Sequence, residues 1–262
     1  MNLVRALKFI KYSLFSRYKT GHGIHSPFVF DLVTRVFRNK TDMSIVFKVE
    51  AIRNKLLSDK RKIVVEDFGS GSKRMKSNFR KVSDLTKYSS VPKKYGTLLS
   101  KLSAEFGSPS VVELGTSVGI STMYLALANS QSQVFTIEGA AEISKTATNN
   151  FVEGKIQNIT TLTGTFEDIL PEVLLEIKKP GLVFIDGNHR KDPVINYFYQ
   201  VAEVSGENTV VIIDDIYNSR EMEEAWIGIK KHAKVSMTVD IFRMGMVFFR
   251  KGMSRQDFII RY

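Results

Sequence analysis

The sequence predicts an α/β fold: a doubly wound, mostly parallel seven-stranded sheet ending in an antiparallel hairpin, preceded by an N-terminal helical extension. Three observations predict it. From residue 109 onward, short β-branched runs alternate with amphipathic stretches long enough to be crossover helices. Those runs are mostly apolar and continuous instead of alternating, as strands buried on both faces are. The first 90 residues lack this alternation and read mainly as helices.

Helices are expected near 2–17, 27–38 and 43–58, with one short strand at Ile63 to Glu66. In the first helix Leu3, Leu7, Ile10 and Leu14 recur at helical spacing, a stripe that would pack on a domain or lie on a membrane surface. The interleaved Phe9, Tyr12, Phe15 and Tyr18 suit either role. The strands of the sheet are V-V-E-L at 111–114, V-F-T-I-E at 134–138, I-T-T-L at 159–162, L-V-F-I-D at 182–186 and V-V-I-I-D-D at 210–215. After a last helix at 219–233, T-V-D-I-F-R and M-V-F-F-R read as a hairpin joined at Met244 and Gly245. The chain then divides into a basic, mainly helical extension at 1–88, a cap or dimerisation element, and an α/β domain at 89–262.

Composition narrows the function classes. Of 262 residues 43% are hydrophobic and 25% charged, with a mean hydropathy of -0.09, which excludes a disordered tail. Cysteine is absent, which removes a disulfide framework, a thiolate nucleophile and a Cys-rich zinc site. No apolar stretch approaches the roughly 18 residues that span a bilayer. Five cations interrupt the first 19 residues, so a signal peptide is rejected and a cytoplasmic protein expected. The net charge is +11, yet residues 1–90 carry 20 Lys and Arg against 7 Asp and Glu, so the whole basic excess lies in the first third. Such a field serves nucleic acid, an anionic membrane surface through residues 1–17, or an acidic or phosphate-bearing acceptor; a merely solvated face is the alternative.

Two places run from a strand into an acid and glycines: V-V-E-D-F-G-S-G-S at 64–72 and V-V-E-L-G-T-S-V-G-I-S-T at 111–122. A ligand loop needs a following helix that packs on the sheet and presents free N–H groups. S-T-M-Y-L-A-L-A after Gly119 qualifies, whereas S-K-R-M-K-S-N-F-R-K after Gly71 is too charged, so the first loop is read as a structural turn. The strand after the second loop ends in Glu138, whose carboxylate can accept two hydrogen bonds from a ribose diol.

The ordered motifs E-L-G-T-S-V-G-I-S-T-x-x-L-A, T-I-E, G-T-F-E-D-I-L, V-F-I-D-G-N-H and I-I-D-D resemble the class I S-adenosylmethionine-dependent methyltransferases, and within them the small-molecule O-methyltransferases of the catechol and caffeoyl-CoA type. The resemblance spans about residues 88–250 and includes S-S-V-P-K-K-Y-G-T-L-L upstream. It implies a Rossmann-like methyltransferase fold and S-adenosylmethionine as cofactor. Glu113, Gly115, Thr116, Ser117 and Gly119 would then surround its methionine part and sulfonium, Glu138 its ribose, and Thr165 with Phe166 its adenine edge. Phe166 as core packing stays open.

Asp186 ends one later strand, and Asp214 with Asp215 the next, on the carboxyl edge where open α/β sheets place their chemistry. In the metal-dependent members of that family two Asp and an Asn hold a divalent cation. Here Ile216 stands where Asn is expected and His189 where a Lys is expected. A Mg2+ ion on Asp186, Asp214 and Asp215 therefore stays open beside cofactor binding, by Asp186 above all, and helix capping. His189 is the candidate general base, with Asp186 beside it, because an imidazole of ordinary pKa near ~6.5 can take a hydroxyl proton at neutral pH. His22 and His25 lack acidic or Cys companions, and Ser26-Pro27 reads as a helix start. The expected function is O-methylation of a small or medium-sized acceptor. A nucleic-acid methyltransferase, although the Asn/Asp-Pro-Pro-aromatic motif is absent, and a non-catalytic basic adaptor remain the alternatives; homo-oligomerisation is open.

Overall fold

The computed structural model describes residues 3–16, 23–65, 78–252 and 254–262. Two compact units divide the chain, residues 41–182 and residues 1–40 together with 183–262. The expected loop at Glu66 to Ser72 and the residue His22 lie outside the described residues.

The chain begins with α1 (Leu3–Phe15) and α2 (Pro27–Asp31), the latter widening into a π-helical stretch at Leu32–Phe37 where the sequence predicts one regular helix. The Ser26 side chain caps α2 by accepting from the Val29 N–H, and Pro27 supplies a φ suited to the first turn. Of the expected stripe on α1, the side chains of Leu3 and Leu7 lie outside the described residues. Ile10 and Leu14 are 54% and 73% exposed, while Arg5, Lys8, Phe9 and Tyr12 make the contacts. The reason is the surface α1 meets, which is acidic and aromatic: Asp215, Glu223 and Phe242.

In the unit 41–182, α3 (Met43–Leu57) starts on an Asp42 cap and buries Ile45, Val46, Val49, Ile52 and Leu56 on one face. The hairpin β1 (Lys62–Val64) and β2 (Phe79–Lys81) leads into α4 (Val82–Ser89) and α5 (Lys93–Phe106). Then come β3 (Ser110–Leu114), α6 (Ile120–Ala128), β4 (Gln133–Glu138), α7 (Ala141–Glu153), β5 (Ile159–Thr163) and α8 (Phe166–Ile177). The strands β3, β4 and β5 pair in parallel, with Glu113 opposite Thr136 and Glu138 opposite Thr163. Every residue of β3 is buried, Ser110 and Glu113 included, as in a strand covered on both faces. Gly96 lets α5 lie directly on α6: a Cβ there would sit 2.4 Å from the Tyr124 ring.

The chain continues through β6 (Leu182–Ile185), α9 (Lys191–Val204), β7 (Val210–Ile213), α10 (Arg220–Lys230), β8 (Met237–Asp240), β9 (Gly245–Phe248) and β10 (Gln256–Ile259). The order β10-β8-β9-β7-β6 places the antiparallel β9 between β8 and β7. The α/β, mostly parallel reading holds. Among the described residues the sheet strands number eight instead of seven, because the short and largely exposed β10 adds itself in parallel to β8. The hairpin turn spans Ile241 to Met244, closed by the Ile241 N–H on the Met244 carbonyl. Gly245 belongs to β9, since the Trp226 ring lies where its Cβ would be, 2.6 Å away.

Candidate functional site

The β3–α6 loop is shaped by its glycines. Gly115 at φ 105° and Gly119 at φ 87° occupy backbone regions that side chains resist, and Gly119 is also pressed against the Phe151 ring, 2.5 Å from an imagined Cβ. The Gly115 N–H donates to the Ile137 carbonyl at 3.0 Å, which fixes the loop to the end of β4. From Gly119 the chain enters α6, whose first N–H groups lack intrahelical partners, as those of any helix do.

Glu138 closes this arrangement from the tip of β4. Its Oε2 accepts from the Ser117 N–H at 2.9 Å and its Oε1 from the Ala140 N–H at 3.1 Å, so the half-buried carboxylate is held in one orientation. Ser117 itself is left-handed, φ 48°, and its buried Oγ has no hydrogen-bond partner. Glu113 is wholly buried, and its Oε2 accepts from the hydroxyls of Thr122 and Thr136 while Oε1 has no hydrogen bond. Burial pushes its carboxyl up to about 7, against the opposing pull of neighbouring hydroxyls. Thr116 shares a 2.6 Å hydrogen bond with Thr136. Thr165 caps α8 by accepting from the Asp168 N–H, and Phe166, the first residue of α8, is half-buried and outside the core. All these cofactor candidates lie in the unit 41–182.

The remaining candidates lie in the other unit. His189 Nε2 is 3.6 Å from Asp186 Oδ1, an ion pair only when the imidazole is protonated and too long for a hydrogen bond. Asn188 and His189 are both left-handed, at φ 66° and 48°. The Asn188 amide donates to the Tyr197 hydroxyl at 2.9 Å, and its Oδ1 accepts from Arg190 Nε at 2.7 Å, which stabilises the strained turn. Asp214 has no exposure and accepts two hydrogen bonds from Arg243, Nε at 3.0 Å and Nη2 at 2.7 Å. Burial holds the Asp214 carboxyl above its ordinary range. Despite burial, which opposes charge, Asp214 and Asp215 hold the Arg243 guanidinium firmly protonated. Asp215, left-handed at φ 52°, pairs with Arg5 Nη2 at 3.1 Å, and Arg5 Nη1 donates to Asn218 Oδ1 at 2.8 Å.

Two of the three carboxylates expected to ligate a metal are thus already occupied by guanidinium groups, a donor set that does not fit a divalent cation. Among the described residues no group of three or more His, Cys, Asp or Glu is gathered to hold one. Sequence reasoning missed Arg5, Arg243, Asn188 and Tyr197. The one local signal was Arg243, a lone cation between Ile241, Phe242 and Met244. Among the described residues no helix is long and apolar enough to cross a membrane.

Residues 112–216 match the methyltransferase domain family. The match starts in β3, takes in the glycine loop and Glu138, and ends just past Asp215. The catechol O-methyltransferase of Niastella koreensis is 28% identical over 130 residues, 48% of this chain and 58% of that protein, so the chain spans little more than half the length of this relative. The methyltransferase-like fold extends further than the sequence match. The O-methyltransferase from Bacillus cereus in complex with SAH superposes with a TM-score of 0.55 at 19% identity, covering 83% of this chain and 96% of that one. SAH-bound PaMTH1 of Podospora anserina gives 0.57 at 12% identity, covering 96% and 97%.

Proposed function

We propose that this chain transfers a methyl group from S-adenosylmethionine to an oxygen of a small-molecule acceptor. The observation that carries the reading is the union of the positive-φ glycine loop with Glu138 through the Ser117 N–H, inside the stretch that matches the methyltransferase domain. The buried, unpartnered Ser117 Oγ and Glu113 Oε1 fit a polar ligand at this loop.

When bound, S-adenosylmethionine supplies a methyl group activated by its sulfonium. Gly115, Thr116, Ser117 and Gly119 shape the loop around the methionine end, to which the first N–H groups of α6 donate, and Glu113 adds a carboxyl group beneath them. Glu138, fixed by two backbone donors, accepts from the ribose hydroxyls, while Thr165 and Phe166 flank the adenine. His189 removes the acceptor's hydroxyl proton, and Asp186 stabilises the imidazolium formed. The basic excess of residues 1–88 favours an acidic or phosphate-bearing acceptor. Asp214 and Asp215 remain with their arginines, and no step depends on Mg2+.

Thermal-shift and calorimetric titration with SAM and SAH test the reading. Ligand at about 100 times Kd should stabilise the fold by about 2.7 kcal/mol, and Glu138→Ala should lose most of the shift. Absence of binding by the wild type would sink it; full binding by Glu138→Ala would remove Glu138 from the ribose.

A further inference from the structure

We propose that Arg5 and Arg243 take the place of a divalent cation at the carboxylate edge of β6 and β7, so that this edge excludes metal and α1 is a working part of it. The reaction concerned is the methyl transfer proposed above, but the exclusion of metal is a property of the edge itself.

Three carboxylates, Asp186, Asp214 and Asp215, stand at the ends of two strands, a charge that attracts a divalent ion through oxygen ligands. Two of them are neutralised from within the chain. Both oxygens of Asp214 face Arg243 in a bidentate fork, in which the carboxylate has no exposure and the arginine side chain only 22%. An ion entering here would have to draw Asp214 off Arg243 and set a second positive charge beside a largely buried guanidinium, which is costlier than the coordination it gains. Asp215 is taken from the other side. Arg5 spans to it from α1 and is itself steadied by Asn218, while Lys8 pairs with Glu223 and the Phe9 and Tyr12 rings pack on Phe242. Phe242 adjoins Arg243 in the same turn, so the helix that delivers one guanidinium packs on the loop that delivers the other. Asp186 stands 3.6 Å from the His189 imidazole and adds to the negative charge that holds Arg243 protonated, and a single carboxylate does not hold a hard dication against water.

The edge therefore carries fixed, organic positive charge where an ion would otherwise be recruited. Guanidinium groups neither exchange nor respond to chelators. Arg5 lies in α1 and Asp215 some 210 residues later, so the N-terminal helix is required for the charge balance.

Mn2+ titration of the full chain, followed by calorimetry and by the loss of the free-ion EPR signal, tests this. The wild type should show no saturable binding up to about 1 mM, the weak end of protein sites for hard dications. The SAH thermal shift should be identical in EDTA and in Mn2+. The double variant Arg5→Gln/Arg243→Gln, folded by circular dichroism, should gain Mn2+ affinity by about ten-fold or more. Tight Mn2+ binding by the wild type that Asp214→Asn abolishes would overturn the proposal, as would a folded double variant with no gain. Should that variant not fold, the wild-type titration and the EDTA comparison decide alone. A wild type with no SAH shift in either buffer would sink the methyltransferase reading and leave the Mn2+ result to stand by itself.

Discussion

Glu113→Gln should stabilise the protein increasingly as pH rises. Glu113 is fully buried, and burial lifts its carboxyl from the ordinary 4.5 to about 7. The folded state thus keeps its proton when the unfolded chain has lost it. The stabilisation from that bound proton is complete below pH 4.5 and is lost as pH rises through about 7. A shift of this size corresponds to about 3 kcal/mol at about 1.4 kcal/mol per unit. Glutamine copies the neutral acid: its carbonyl can accept from Thr122 and Thr136 as Oε2 does, and its amide takes the place of the Oε1 hydroxyl. Urea unfolding of wild type and variant should give similar stabilities at pH 5. At pH 8 the variant should be ahead by about 3 kcal/mol, with other titrating groups cancelling in the difference. A difference that does not change between the two pH values would refute the reasoning and place an ionised Glu113 in the core.

Gly119→Ala meets both a left-handed φ and the Phe151 ring, and should cost about 2–4 kcal/mol in chemical denaturation while weakening SAH binding. His189→Gln should abolish transfer of labelled methyl to an accepted substrate yet retain the SAH shift; persistent activity with an unchanged pH profile would remove His189 as the base. Tyr12→Phe removes the hydrogen bonds to the Ile260 carbonyl and from the Tyr262 N–H, and should cost about 1 kcal/mol, read as a lowered Tm. Arg5→Ala should change global stability by about 1 kcal/mol or less, because its pairs are part-exposed.

The central pattern was legible because the same residues decide it locally and globally. An apolar run ending in an acid, as at Glu138, Asp186 and Asp214, is a buried parallel strand whose tip reaches polar surroundings, and the loop glycines sit where only positive φ closes the turn. What failed was whatever depends on a distant partner. The apolar spacing of α1 pointed to Ile10 and Leu14, but the surface it meets is acidic and aromatic, so Arg5, Lys8 and Tyr12 turn inward. Gly245 looked like a turn residue because nothing nearby in sequence announces the Trp226 ring against it. The metal expectation at Asp214 and Asp215 could not include Arg243 and Arg5, which lie 29 and 210 positions away. The strand β10 is too short and polar to stand out from a loop.

The discontinuity of the unit that contains α1 bears on how the chain is made. Residues 1–40 leave the ribosome before the unit 41–182, yet the α1 partners Glu223, Phe242 and Ile260 are translated after it. The unit 41–182 has its own three parallel strands and helices and can assemble while synthesis continues. Throughout that interval α1 travels with cationic and aromatic groups unsatisfied, a natural client for chaperones that hold exposed apolar segments. Docking of α1 then has to wait until the chain beyond residue 182 is made. Its completion should be visible in arrested nascent chains as protease protection of α1 that arises only once β8, β9 and β10 have emerged.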